Sequence, residues 1–135
     1  MKYKFLPHTA DLKFKAEGKT LNEVFENSAL ALTSALHEGN VKGKIRKSFK
    51  IEGYDLEAMM FRFLEEILFL FETKGFLLSK TKVKIDKERK SLEAELIGEE
   101  KKGKTARHYI KAVTYNEMFV KKVGKDWISQ VVLDV

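Results

Sequence analysis

In residues 12–37, LKFKAEGKTLNEVFENSALALTSALH, the spacing of apolar side chains changes once, from about 2 residues to about 3.6. Leu12, Phe14 and Ala16 alternate with Lys13, Lys15 and Glu17, which is the pattern of a half-buried strand that Gly18 closes. Thr20 followed by Glu23 makes a capping box: the hydroxyl meets a free amide of the first turn and the carboxylate reaches back. Leu21, Val24, Phe25, Ser28, Leu32 and Leu36 then share one helical stripe, predicting a helix over Leu21–Leu36 that Gly39-Asn40 ends. A strand feeding directly into an amphipathic helix sets the class.

Working outward, Tyr3 and Phe5 alternate with Lys2 and Lys4, giving a first strand, and Pro7 forbids a continuous ladder between it and the next. Lys44 to Glu52 alternates through Ile45, Phe49 and Ile51. Asp55 is a good N-cap for a second helix, whose broad stripe (Leu56, Met60, Phe63, Ile67, Leu70, widened by Met59, Leu64, Leu68 and Phe71) asks for burial against a sheet before Gly75 stops it. Its Met and Phe side chains read as core. Phe76 to Ile85 and Leu92 to Ile97 form a hairpin through Asp86 to Lys90, and Lys101 to Lys104 is a further turn. Tyr109 to Val113 fits a strand or a short helical turn. Met118 to Val123 and Trp127 to Val135 flank a Gly124-Lys125-Asp126 turn. In the last strand both parities are apolar, so it is expected to be central and covered on both faces. The predicted fold class is α+β: a mixed, mostly antiparallel sheet with the two main helices packed on one face. The early strand–helix units are too weakly alike to establish a duplication.

Composition narrows the function. The 135 residues predict one domain, residues 1–135, and 44% hydrophobic with 34% charged residues describe a folded globular chain. Arg62, Glu65 and Glu66 interrupt the longest apolar stretch, so no membrane span is expected, and the first residues lack a signal-peptide pattern. These features imply a cytoplasmic protein with no membrane partner. With no cysteine, disulfides, thiolate metal sites and thiol nucleophiles are excluded together. The net charge of +6 suggests acidic partners. The charge sits in three clusters: Lys42, Lys44, Arg46, Lys47 and Lys50; Lys80, Lys82 and Lys84; and Lys101, Lys102, Lys104 and Arg107. With glutamates interspersed, each cluster fits either a solvated face or a phosphate-binding stripe.

Nucleophile-elbow, phosphate-loop, dinucleotide and zinc-protease motifs are absent, as is an RNA-recognition aromatic pattern. His37 follows a helix end and reads as structural. His108 has no obvious partner, and three scattered histidines make no zinc site by spacing. Two places hold polar groups that a core would not need. His8-Thr9-Ala10-Asp11 joins two strands. Asp134 and the carboxylate of Val135 end an apolar strand, and their mutual repulsion would be relieved by a hard cation bound through oxygen. Asp11 joins them if its strand starts at the same sheet end. The alternative is that the aspartate caps a backbone amide and the tail carboxylate pairs with a lysine.

The run HTADLKFKAEGKTLNEVFENSALAL, the element IKAVTYNEMFV and the finish VVLDV together resemble the archease family, over essentially the whole chain. Asn116 stands where that family often has histidine. The resemblance implies an accessory protein of the RtcB-type RNA ligase of tRNA splicing, not an enzyme itself, that promotes guanylylation of the ligase by GTP and multiple turnover. Contact with tRNA would be indirect, and DNA would not be a partner. It also implies a divalent metal ion, calcium or else magnesium or manganese, held by Asp11, Asp134 and Val135, with Lys111 and His8 as supporting residues. Two other readings compete: a basic RNA-binding module or chaperone acting on tRNA directly, and a small metal-dependent hydrolase using His8 as base beside Asp11.

Overall fold

A computed structural model describes residues 2–7, 10–101 and 109–135. The elements run β1 (Tyr3–Leu6), β2 (Leu12–Gly18), α1 (Leu21–Leu36), β3 (Ile45–Glu52), α2 (Leu56–Lys74), β4 (Phe76–Asp86), β5 (Ser91–Glu100), β6 (Ala112–Val123) and β7 (Asp126–Asp134). The α+β class is as expected. The strands divide, however, into two sheets, β1-β2-β7-β6 and β3-β5-β4, in which every pairing is antiparallel.

Both helices begin in the same way. Thr20 Oγ1 accepts the Glu23 amide at 3.1 Å, and Asp55 Oδ1 accepts the Ala58 amide at 2.7 Å. Just upstream, Gly18 and Gly53 bring the strand end against the first turn. A Cβ on Gly18 would lie 2.4 Å from the Val24 nitrogen, and one on Gly53 2.7 Å from the Met59 nitrogen. This backbone approach explains why glycine closes the strand both times. α1 packs on β1, β2 and β7 of the larger sheet and on β4 of the smaller, while α2 packs on β3, β4 and β5 of the smaller and on β6 of the larger. Each helix therefore touches both sheets, and Phe14, Phe25, Phe63, Leu64, Leu96 and Leu133 lie fully buried among the layers.

Two glutamates explain why the sheets stay separate. The Val83 amide of β4 donates to Glu26 Oε2 of α1 at 3.0 Å, and the Val120 amide of β6 donates to Glu57 Oε2 of α2, also at 3.0 Å. Each is an outer strand of its sheet, so a helix side chain occupies the edge that another strand would use.

β7 is internal, between β2 and β6, as its two apolar faces require; Val131 and Val132 are both 0% exposed although they point to opposite faces. Val131 joins the main core, whereas Val132 lies beyond it under the Lys13–Thr114 row. β6 differs from expectation. It is one strand interrupted by an arch: Thr114 pairs with Val132 and Phe119 with Gln130, five steps on β6 against two on β7. The extra residues broke the alternation in the sequence, so the strand read there as two pieces.

The first two basic clusters are resolved by register. On the outer face of the smaller sheet, Lys50 and Lys84 flank Glu93, and Ser48 and Lys82 flank Glu95. Lys47 pairs with Glu100 at 3.0 Å and Lys101 with Glu99 at 3.1 Å. Lysines facing glutamates in this way fit a solvated face, whereas Arg46 and Lys80 flank Ile97 instead. His8, Thr9, His108 and most of the third basic cluster lie outside the described residues.

Candidate functional site

The start of β2 and the end of β7 meet at one end of the larger sheet. Leu12 pairs with Leu133, so the next positions along these strands are Asp11 and Asp134. On the other side of β7, Ala112 pairs with Asp134, and the Lys111 amide donates to the Asp134 carbonyl at 2.7 Å. Three strand ends thus carry Asp11, Asp134-Val135 and Lys111 in adjacent positions. Asp11, Asp134 and Val135 are half-buried and Lys111 is exposed. Asp134 follows the parity of Val132, so it belongs to the outer face together with Lys13. Val135 has the opposite parity, and its side chain packs against the core. That apolar anchor holds the backbone oxygens of Val135 beside Asp134.

Among the described residues the candidate ligand atoms here are all oxygens: two side-chain carboxylates with backbone oxygens next to them. Such a set suits a hard divalent cation and is unsuited to a soft one. Among the described residues no three His, Cys, Asp or Glu side chains gather to hold an ion. The neighbouring cation Lys13 is engaged elsewhere, by Glu117 Oε1 at 3.1 Å. His37, placed by the sequence as structural, is the C-cap of α1, its amide donating to the Thr33 carbonyl.

The arch of β6 carries groups that the sequence reading did not single out. Glu117 sits there at φ 54, held by Gln130 Nε2 donating to its carbonyl at 2.8 Å and by Lys13 on its carboxylate. The arch pushes Tyr115 outward onto Phe61 of α2, where the rings stack at 4.2 Å with 6° between their planes. Burial beside Phe61 raises the Tyr115 hydroxyl pKa, and Tyr54, Asp55 and Glu65 add to the rise while Arg62 opposes it. The phenol is therefore neutral at physiological pH. The only clue in the sequence was the break in alternation after Thr114.

Comparison with known proteins agrees with this architecture. The Archease protein family matches residues 3–135. The chain is 36% identical to protein archease of Sulfurisphaera tokodaii, covering 99% of both, and 38% identical to that of Methanosarcina acetivorans, covering 99% of this chain and 96% of the relative. The solution structure of Methanobacterium thermoautotrophicum protein 1598 superposes with a TM-score of 0.84 at 33% identity over 99% of each chain. A Thermotoga maritima crystal structure, described as an archease and possible chaperone, shares the fold with a TM-score of 0.66 at 22% identity, over 98% of this chain and 96% of that one. The chain thus belongs to the archease family.

Proposed function

We propose that this protein is a cytoplasmic accessory protein of an RtcB-type RNA ligase, promoting guanylylation of the ligase and its repeated turnover, and that it does so from the sheet end bearing Asp11, Asp134, Val135 and Lys111. The observation that carries this reading is the register that makes Asp11 and Asp134 neighbours although they lie 123 positions apart in the chain. Within the family resemblance, a sheet end with paired carboxylates is the feature best suited to work on a triphosphate reaction.

Asp11, Asp134 and the Val135 backbone would hold a divalent ion, calcium in the first instance, with magnesium and manganese as the other oxygen-seeking options. When bound, such an ion supplies positive charge that neutralises phosphate oxygens. The chain's own residues do the rest. The core-packed Val135 fixes the backbone, the Lys111 amide fixes the Asp134 carbonyl, and the exposed Lys111 ammonium would add a second positive charge. The ligand count is low for calcium, which takes about 6–8 oxygens, so affinity in isolation would be modest and further oxygens from the ligase or its nucleotide would be needed.

The test is a ligation time course with RNA in excess over ligase, with and without this protein. Stimulation of turnover is expected from the native chain, and its loss from Asp11→Ala, Asp134→Ala and a short extension after Val135. Calcium titration calorimetry on the folded variants separates ion binding from ligase activity. Full stimulation by all three variants would overturn the metal mechanism, and no stimulation by the native chain would overturn the ligase partnership.

A further inference from the structure

A second site stands apart from the carboxylate end. Two residues other than glycine adopt positive φ among the described residues, Lys90 (φ 53) and Glu117 (φ 54). Backbone strain of this kind persists where surrounding contacts enforce it, and it gathers at functional positions. Both residues shape one cleft of about 690 Å³. Lys90 lines it directly, and its carbonyl accepts the Gly53 amide at 3.0 Å, tying the β4–β5 turn to the β3–α2 corner. Glu117 pins the arch that carries Tyr115 into the cleft wall.

The lining combines flat rings with cations. Tyr54 is 76% exposed and Tyr115 52% exposed. Phe61 covers one face of the Tyr115 ring yet does not line the cleft, so Tyr115 presents a stiff, backed aromatic plate. Lys50, Arg62, Arg89 and Lys90 line the same space against one lining carboxylate, Glu52. The nearby acids are mostly committed. Asp55 caps α2 at 2.7 Å, and Asp86 accepts the Arg89 amide at 3.1 Å and approaches the Arg89 guanidinium at 3.9 Å. Glu65 is a further acid near the Tyr115 hydroxyl, where its charge opposes ionisation of the phenol. An acidic peptide would need only the cations. A polynucleotide strand uses both components, stacking bases on exposed rings while its phosphates track the positive charge.

We propose that this cleft binds single-stranded nucleic acid, with a base stacked on Tyr115 and neighbouring phosphates against Arg62 and Arg89. Lys111 and Tyr115 are four residues apart, at most about 14 Å along the chain, so a strand held here passes close to the carboxylate end. The proposal is independent of the ligase reading, because binding is measured with no ligase present.

The experiment is fluorescence anisotropy with a labelled short single-stranded RNA, the matching DNA, and a labelled glutamate-rich peptide, at several salt concentrations. Binding of a nucleic-acid strand is expected, with a log–log salt slope of about −3 for four cations. A preference for the RNA or the DNA strand identifies the polymer. Tyr115→Ala should weaken binding about fivefold to a hundredfold, while Tyr115→Phe, which keeps the ring, should bind as the native chain does. Arg62→Gln/Arg89→Gln should flatten the slope by about 1.4. Lys82→Gln/Lys84→Gln makes the same change of charge on the outer face of the smaller sheet and should leave binding unchanged. Circular dichroism checks folding, and Tyr54→Ala serves as a second ring deletion if Tyr115→Ala does not fold. The proposal is overturned by loss of neither ring affecting affinity, by equal weakening from the Lys82/Lys84 pair, or by binding of the glutamate peptide alone.

Discussion

Ser28 and Ser129 are both 0% exposed, and their hydroxyls meet at 2.7 Å between α1 and β7. Ser28 gives its single proton to the Val24 carbonyl at 2.7 Å, so Ser129 must donate to Ser28. Ser28→Ala would leave the Ser129 proton buried without its acceptor, costing about 1–3 kcal/mol. Ser28→Ala/Ser129→Ala removes both polar groups, and urea denaturation should show it less destabilised than the sum of the single variants. Gly98 is a second fixed point. A Cβ there would lie 1.9 Å from the Leu77 carbonyl oxygen, beside the irregularity between Leu78 and Lys80. Gly98→Ala should therefore lower stability by about 3 kcal/mol, read as a fall in the thermal midpoint. At this scale the sequence singled out Asp134 and Val135, because anionic groups at the end of an apolar strand are anomalous wherever the strand lies, and the register sets Asp11 beside them. It could not place Tyr115, whose role depends on Phe61 from a helix 54 positions away.

The elements with local causes match their expected bounds closely. α1 spans Leu21–Leu36 as the capping box and stripe require, and α2 starts after Asp55 and ends at Gly75. The glutamates that seal the sheet edges had no local cause. Glu26 and Glu57 look like ordinary polar helix positions until β4 and β6 are brought beside them. Glu26→Ala should cost about 1–3 kcal/mol by leaving the buried Val83 amide unpaired. The Glu26 carboxyl pKa is raised, first by burial and also by Glu23, against the Val83 hydrogen bond and Lys82. A raised carboxyl binds protons more readily folded than unfolded, so it favours the fold at low pH and loses that contribution as pH rises through and above its ordinary range. Glu26→Gln keeps an acceptor for Val83 without the charge. It should be as stable as the native chain or more so at neutral pH, with a flatter pH dependence above the ordinary carboxylate range in denaturation experiments.

Across the whole molecule, each helix packs on both sheets, so neither sheet has a core of its own. Unfolding is therefore expected to be a single cooperative transition. Trp127, the only tryptophan, reports on the larger sheet, and far-ultraviolet circular dichroism reports on both. Their urea midpoints should coincide, and separate midpoints would show that the sheets unfold independently. A membrane-crossing role finds no support in the helices, since none among the described residues is long and apolar enough to span a bilayer. The sequence by itself determined the α+β class, the helix bounds, the internal position of β7 and the identity of the carboxylates, because each follows from periodicity, capping or local charge. The tertiary structure decided the division into two sheets, the pairing of lysine rows with glutamates, the meeting of Asp11 with Asp134 and the Tyr115 cleft. These depend on which strand edges and helix faces meet, and residues distant in the chain settle that through register and packing.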